Sequence, residues 1–152
     1  MIALVAWWGL ISGAVFTVVV LASWWFTPDM WLGDVTEGEQ SALVTPASAA
    51  WFVGIVISFA GGGFVAAWIA AADHDAGFVA AALVAYAVMG IVNLVDLVVV
   101  DIAVFLWMRP SWMTLPNIEM PTDLGMHIRA SLNGLLLAVP LAAVAGIVAL
   151  AA

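Results

Sequence analysis

The chain has 152 residues, of which 67% are hydrophobic and only 8% are charged, and its mean hydropathy is +1.24. Soluble domains carry about 25% charged residues, so this composition excludes a soluble enzyme, a soluble nucleic-acid binder and a disordered tail. It predicts an integral membrane protein whose solvent is the lipid bilayer. Ten acidic residues against two arginines give a net charge of -8, which disfavours nucleic acid as a partner.

The residue types also limit the chemistry. The sequence contains no cysteine, which excludes disulfides, thiolate metal sites and iron–sulfur clusters. It contains no phosphate-binding glycine loop, no nucleotide fingerprint and no workable Ser/His/Asp set. We therefore expect a protein that is not an enzyme and that holds neither a cofactor nor a metal.

Four apolar runs are each long enough to cross a hydrocarbon layer about 30 Å thick at about 1.5 Å per helical residue. They lie at about residues 1–26, 49–72, 77–108 and 125–152. A short connection joins the second run to the third, whereas longer connections containing proline join the other pairs on the opposite face. The sequence therefore predicts an all-α integral membrane protein, a four-transmembrane-helix bundle that forms a single membrane domain over residues 1–152.

The first two runs contain closely spaced small residues. Gly9 and Gly13 form a small-xxx-small pair in the first run, and Gly61–Gly63 form a triplet in the second. Small residues let helix backbones approach closely in lipid. The triplet also weakens helix propensity, so it predicts either tight packing or a hinge that lines a cavity.

The ends of the runs carry capping and interfacial residues. Asp75 is placed to cap the third helix, and Thr122 or Asp123 to cap the fourth. Most of the tryptophans lie near the ends of the runs, which is typical of an aromatic belt at the membrane interfaces.

The third run contains three polar residues that are costly to bury in lipid: Asn93, Asp96 and Asp101. A carboxylate at bilayer depth must be paired, hydrated or protonated, so each is a candidate functional residue. In an α-helix Asn93 and Asp96 share a face, whereas Asp101 lies about 140° around the helix from Asp96. We therefore expect one carboxylate to face the bundle interior and the other a neighbouring subunit or partner. The depth of both depends on which end of this long run marks the membrane interface.

The fourth run offers partners for these carboxylates near its start. Arg129 and Asn133 align on one face, and His127 lies about 160° from Arg129. We expect Arg129 to meet Asp101, with Asn93 and Asn133 forming hydrogen bonds nearby. Two interpretations of this polar network stay open: it fixes helix register, or one of its carboxylates binds and releases a proton or a metal cation.

The positions of the two arginines predict the orientation. Arg109 and Arg129 lie at the face that holds the longer connections, and the positive-inside rule places such residues in the cytoplasm. We therefore expect a multi-pass protein of the plasma or inner membrane with Arg109–Leu124 in the cytoplasm. The termini and the connection Asp73–Asp75 are then expected outside.

Two functional hypotheses follow from these features. The first is a small channel or transporter, a homo-oligomer, whose proton or cation path is lined by the polar residues of the third and fourth helices. The second is an accessory or scaffold subunit of a larger membrane complex, in which the buried polar residues only set register. The long third run slightly favours the second hypothesis, because an apolar helix end outside the lipid would have to be covered by a partner.

Overall fold

The structure, a computed structural model, describes residues 1–31, 45–113 and 123–151. Within these residues four helical spans are long and apolar enough to cross a membrane. Helix α1 covers Ile2–Phe26, α2 Pro46–His74, α3 Phe78–Val95 and α4 Leu124–Ala151, and the third span continues from α3 as a π-helix over Asp96–Met108. The predicted four-helix membrane bundle is confirmed, and the boundaries of the spans move by at most three residues.

The helices pack with α1 and α4 at opposite corners of the bundle, each in contact with α2 and with the third span. Many large apolar side chains point outward, among them Leu10, Ile57, Leu136 and Ile147. In water such a surface would aggregate. In a bilayer it faces lipid tails, so the exterior is as apolar as the interior.

Close packing between α1 and α3 depends on the predicted small-xxx-small pair. A Cβ atom at Gly9 would lie 2.7 Å from Ile91, and a Cβ atom at Gly13 would lie 3.0 Å from Val95. Both distances are too short for an ordinary carbon contact. The two glycines therefore let α1 and α3 approach more closely than residues with side chains would allow.

The glycine triplet of α2 is fully helical. A Cβ atom at Gly62 would collide with Ser12, and one at Gly63 would lie 2.9 Å from Met89. Gly61 has open space beside it. Of the two predicted roles for the triplet, tight packing against α1 and α3 fits this geometry, and the hinge does not.

The N-cap predicted for α4 is observed, whereas the N-cap predicted for α3 is not. Asp123 accepts a hydrogen bond from the backbone N–H of Gly125 at 2.9 Å, so it caps α4 as predicted, and Thr122 lies outside the described residues. Asp75 instead ends α2 in the left-handed conformation, with φ of 51°. Gly77 occupies the N-cap of α3 without a side-chain bond. Because the connection is so short, Asp75 forms the C-cap of α2 and does not cap α3.

The two halves of the bundle are built differently. The half near the termini packs small residues, including Ala66 and Ala70 of α2, against Val84 and Val88 of α3. The half near the longer connections packs large aromatic side chains around Trp24, which is only 1% exposed. The half near the termini is therefore dense, and the aromatic half has room for a cavity.

Trp24 departs from the predicted interfacial belt. Its ring stacks on Trp31 at a centroid distance of 5.4 Å and meets the edge of Phe105 at 4.9 Å. The short 3-10 helix Pro28–Trp31 makes this stack, because the indole N–H of Trp31 donates to Ser23 Oγ at 3.2 Å. A tryptophan near a helix end is therefore buried here by a chain segment that folds back beneath it.

Candidate functional site: a polar and aromatic cavity

A cavity of about 400 Å³ lies among the four spans, in the half of the bundle near the longer connections. It is lined by residues from every span, and its walls are mainly aromatic and aliphatic. Its polar lining residues are Asn93, Asp96, Asp101, His127 and Ser131. Four of these five residues belong to the polar network that the sequence predicted.

Both carboxylic acids of the third span line this cavity. The prediction that Asp96 and Asp101 lie on different faces holds for an α-helix and is wrong here. The segment Asp96–Met108 is a π-helix, whose i→i+5 hydrogen bonds bring residues five apart to adjacent turns of one face. Asn93 lies on the same wall, in agreement with its i,i+3 relation to Asp96.

The polar residues of α4 that face this wall are His127 and Ser131. His127 Nδ1 lies 3.0 Å from Asp101 Oδ1, and both side chains are mostly buried, with exposures of 8% and 17%. One turn further along α4, Ser131 Oγ accepts a hydrogen bond from Asn93 Nδ2 at 2.7 Å. These two contacts join the third span to α4 at successive depths in the cavity.

Arg129 and Asn133 lie outside this network, which corrects the predicted pairing of Arg129 with Asp101. The Arg129 side chain is 73% exposed, and its Nη2 lies 3.8 Å from the exposed carboxylate of Asp123. Asn133 is exposed as well. Arg129 and Asn133 share a face of α4, as predicted, but this face points outward. His127 lies on the opposite face and pairs with Asp101.

A signal in the sequence identifies the inner face of α4. The buried small residues of this helix are Ala138, Ala142, Ala145, Gly146 and Ala149. They continue the helical face that begins with His127, at spacings of three and four residues. In a membrane bundle small residues mark the packed face more reliably than hydrophobic ones, and this pattern points to His127 rather than to Arg129. Ser131, which is not among the residues predicted from the sequence, lies on that face.

Aromatic side chains form the rest of the cavity. The rings of Phe16 and Phe59 meet edge to face at a centroid distance of 5.9 Å. The Phe105 ring lies 6.0 Å from the His127 ring and also contacts Trp24. These contacts hold the imidazole between an aromatic wall and the carboxylate of Asp101.

The other imidazole nitrogen, Nε2, has no hydrogen-bond partner among the described residues. His127 Nε2 is buried, and it has no hydrogen bond within the part of the chain that the structure describes. A buried polar atom without a partner is rare in proteins and calls for an explanation. Among the described residues, no three His, Asp or Glu side chains lie close enough to hold one metal ion.

Comparisons with protein-family models, with curated proteins and with solved structures found no match to this chain.

Proposed function

We propose that this protein is a small membrane transporter that binds and releases a proton or a small cation at the carboxylic acids of its cavity. The observation that supports this proposal is the convergence of Asp96, Asp101 and His127 on one cavity inside an apolar bundle. Ionisable residues in membrane spans are costly and typically mark ion and proton pathways. The proton is the better candidate of the two, because a metal ion needs more ligands than this cluster offers.

The arrangement provides a route for a proton in steps. Asp101 and His127 are in hydrogen-bonding contact near the start of α4. Asp96 lies one turn of the π-helix before Asp101, and Asn93 with Ser131 follows deeper in the bundle. Imidazole can donate or accept a hydrogen bond at a ring nitrogen, so His127 is suited to exchange a proton with Asp101.

A transporter fits this structure better than a channel through one subunit. The cavity occupies one half of the bundle, and the other half is packed by small residues such as Ala66 and Ala70. A substrate would therefore need a change in helix packing to cross. Such a change is what alternating access requires.

A homo-oligomer is part of this proposal, and Asn133 supports it. Its amide side chain is exposed on the outer face of α4, between the exposed apolar residues Leu132 and Leu136. A polar side chain at such a position forms hydrogen bonds readily with a second helix in lipid. A second copy of the chain would provide that helix.

An accessory subunit of a larger complex is the second proposal. Its support was the long third span, whose end would need cover from a partner. The π-helix accounts for part of this length, because it uses more residues per turn than an α-helix. The exposed Trp107 and Met108 at the end of the span still offer a surface for a partner.

We also propose that the cavity half of the bundle faces the cytoplasm, as the two arginines suggest. Arg109 ends the π-helix, and Arg129 lies near the start of α4, so both are at the end of the bundle that holds the cavity. The protein would then take up or release its proton on the cytoplasmic side of the plasma or inner membrane.

Proton flux in liposomes tests the transporter. We expect the purified wild type to dissipate a proton gradient faster than protein-free liposomes do, and the Asp96→Asn and Asp101→Asn variants to lose this activity. Asp73→Asn, which changes an exposed carboxylate at the other end of the bundle, is the control and should behave as wild type. A wild type that moves neither protons nor cations under any gradient would contradict the proposal, and an unknown partner that co-purifies would support the accessory role.

A further inference from the structure

Asp96 presents an accessible carboxylate to the cavity. Its side chain lines the cavity and is partly exposed, and within the described residues it makes no hydrogen bond and no ion pair. Neither of its oxygens is among the fully buried polar atoms that lack a hydrogen bond, so both oxygens are accessible. The other carboxylate of the cavity, Asp101, already has the imidazole of His127 at 3.0 Å. A ligand in the cavity can therefore reach Asp96, which as an ionised group only accepts hydrogen bonds and attracts positive charge.

No permanent positive charge of the protein lies beside Asp96. Arg109 and Arg129 are both exposed, and neither lines the cavity. The only basic side chain among the described lining residues is His127, and its Nδ1 faces Asp101. An ionised carboxylate inside a membrane bundle needs a counter-charge or hydration. A cationic ligand would supply that counter-charge.

Aromatic rings surround this part of the cavity. Gly13 of α1 packs against Val95, the residue before Asp96. Because α1 and the third span run in the same direction, Phe16 lies about one turn further along, at the depth of the first π-helical residues. Its ring meets that of Phe59 edge to face at a centroid distance of 5.9 Å. The other aromatic residues that line the cavity are Trp24, Trp31, Phe52 and Phe105. The faces of such rings attract cations, and aromatic rings of this kind recognise substituted ammonium ions.

The size of the cavity fits an organic ion. Its volume of about 400 Å³ lies within the range of small-molecule sites, which are mostly apolar with a few polar groups that fix orientation. No three His, Asp or Glu side chains in the described part of the chain lie close enough to hold a metal ion. A ligand that fills this volume must therefore carry its charge on a largely apolar body.

The edge of the cavity lies between α2 and α4. Phe52 of α2 and Leu137 of α4 line the cavity and are also exposed on the outer surface of the bundle, as is Ala130. This surface faces lipid in a membrane. A molecule dissolved in the bilayer can therefore reach the cavity from the side.

We propose that the cavity binds a lipophilic organic cation, a substituted ammonium ion whose charged head lies between Asp96 and the aromatic rings. One carboxylate holds either a proton or such a cation, so the cation is the cargo that exchanges for the proton. This role rests on the proposed transport function, whereas the binding itself does not. The site joins a carboxylate to an aromatic wall, so it distinguishes a cation from a neutral molecule of the same shape.

Two probes of the same shape test this site. Benzyltrimethylammonium carries the positive charge, and neopentylbenzene has a carbon atom in place of the nitrogen. Equilibrium dialysis of the purified protein, with the same concentration of a non-ionic detergent on both sides, cancels partition into the micelles. The cation should bind at least about tenfold more tightly than the neutral probe. Equal affinity for the two probes, or no binding of the cation, would overturn the proposal.

Variants then locate the charge that the cation recognises. Asp96→Asn keeps the shape of the side chain, so it should bind the cation at least about tenfold more weakly and bind neopentylbenzene as the wild type does. Asp73→Asn removes an exposed carboxylate at the other end of the bundle and should leave both affinities unchanged. Cation binding that persists at full strength in Asp96→Asn would overturn the assignment to Asp96.

A second pair of variants tests the site even if Asp96→Asn does not fold. Ala130→Trp fills the edge of the cavity and leaves Asp96 in place, so binding of the cation should be lost. Val144→Trp places the same side chain on the lipid-facing surface away from the cavity and should leave binding unchanged. Binding of the cation that survives in Ala130→Trp would contradict the proposed location.

These measurements separate the two proposals. Binding in micelles needs no gradient and no transport. A protein that prefers the cation but moves no protons overturns the transport function alone, and one that moves protons without this preference overturns only the cation site.

Discussion

At the scale of single residues, the two cationic candidates of α4 have opposite environments. His127 is buried against Asp101, whereas Arg129 extends into solvent or headgroups beside Asp123. The longer and permanently charged side chain is excluded from the bundle, where its desolvation would be costly. Histidine can be neutral and still donate a hydrogen bond, so it is the residue that a membrane interior accepts beside a carboxylate.

We expect His127→Ala to destabilise the protein by about 1–3 kcal/mol, because it removes the imidazole that lies 3.0 Å from the mostly buried Asp101 carboxylate. Asp101→Asn in the same chain should recover part of this loss, because a neutral amide costs less to bury than a carboxylate. Unfolding of the detergent-solubilised single and double variants measures the coupling. Additive effects of the two substitutions would contradict the pair.

We expect Arg129→Ala to change stability by less than about 1 kcal/mol, because an exposed ion pair with 3.8 Å between its atoms contributes little. Its effect should also be the same in the presence and absence of Asp101→Asn. The same unfolding experiment measures both values. A large loss that Asp101→Asn reverses would instead restore the pairing that the sequence suggested.

At the scale of helices, the glycines of α2 show how closely packing depends on position. Gly61 and Gly62 are neighbours in the same helix and lose the same intrinsic helix stability relative to alanine. Only Gly62 faces another helix, where its missing Cβ makes room for Ser12 of α1. The pair therefore separates helix propensity from helix packing within one turn.

We expect Gly61→Ala to be neutral or to stabilise the protein by up to about 1 kcal/mol through helix propensity. Gly62→Ala should destabilise it by about 1–3 kcal/mol, because α1 and α2 must move apart to admit the methyl group. Thermal unfolding in detergent compares the two variants directly. Equal effects at both positions would show that α1 and α2 do not pack through Gly62.

The sequence predicted the spans well and the faces of the helices less well, for one physical reason. Length and hydropathy decide whether a helix can cross a bilayer, and all four spans satisfied both criteria. Which face turns inward is a different question, because lipid and protein interior are equally apolar and the hydrophobic pattern no longer separates them. The inner face of α4 is marked instead by small residues that follow His127.

The π-helix was beyond the reach of sequence patterns. The residues Asp96–Met108 have the apolar composition of an ordinary α-helical span. An α-helical wheel separates Asp96 from Asp101, and only the wider turns bring them to one wall. Asn93 and Asp96, which lie at or before the transition, were placed correctly because the backbone up to Val95 is α-helical.

At the scale of the whole molecule, the bundle is polarised along its axis. The half near the termini is dense and rich in alanine, and the half near the longer connections contains the cavity, the aromatic stack and the two carboxylic acids of the third span. A transporter with this shape would expose its site to one side of the membrane at a time. If the protein is the proposed proton transporter, its orientation decides on which side of the membrane the proton binds in this conformation.

The absence of cysteine from the chain makes the orientation directly measurable. We expect His74→Cys to react with a membrane-impermeant maleimide added to intact cells or spheroplasts, because the positive-inside rule places that end outside. Trp112→Cys, at the end that holds Arg109, should react only after the membrane is opened. The reverse pattern of labelling would invert the proposed orientation.

The π-helix of the third span gives the protein a tolerance to loss of a residue. A deletion between Asp96 and Asp101 would let one wide turn become α-helical, and the two carboxylic acids, then four residues apart, would still share a face. The same deletion within Phe78–Val95 would rotate everything beyond it by about 100°. A variant that lacks one residue between Asp96 and Asp101 would therefore keep the wall of the cavity intact.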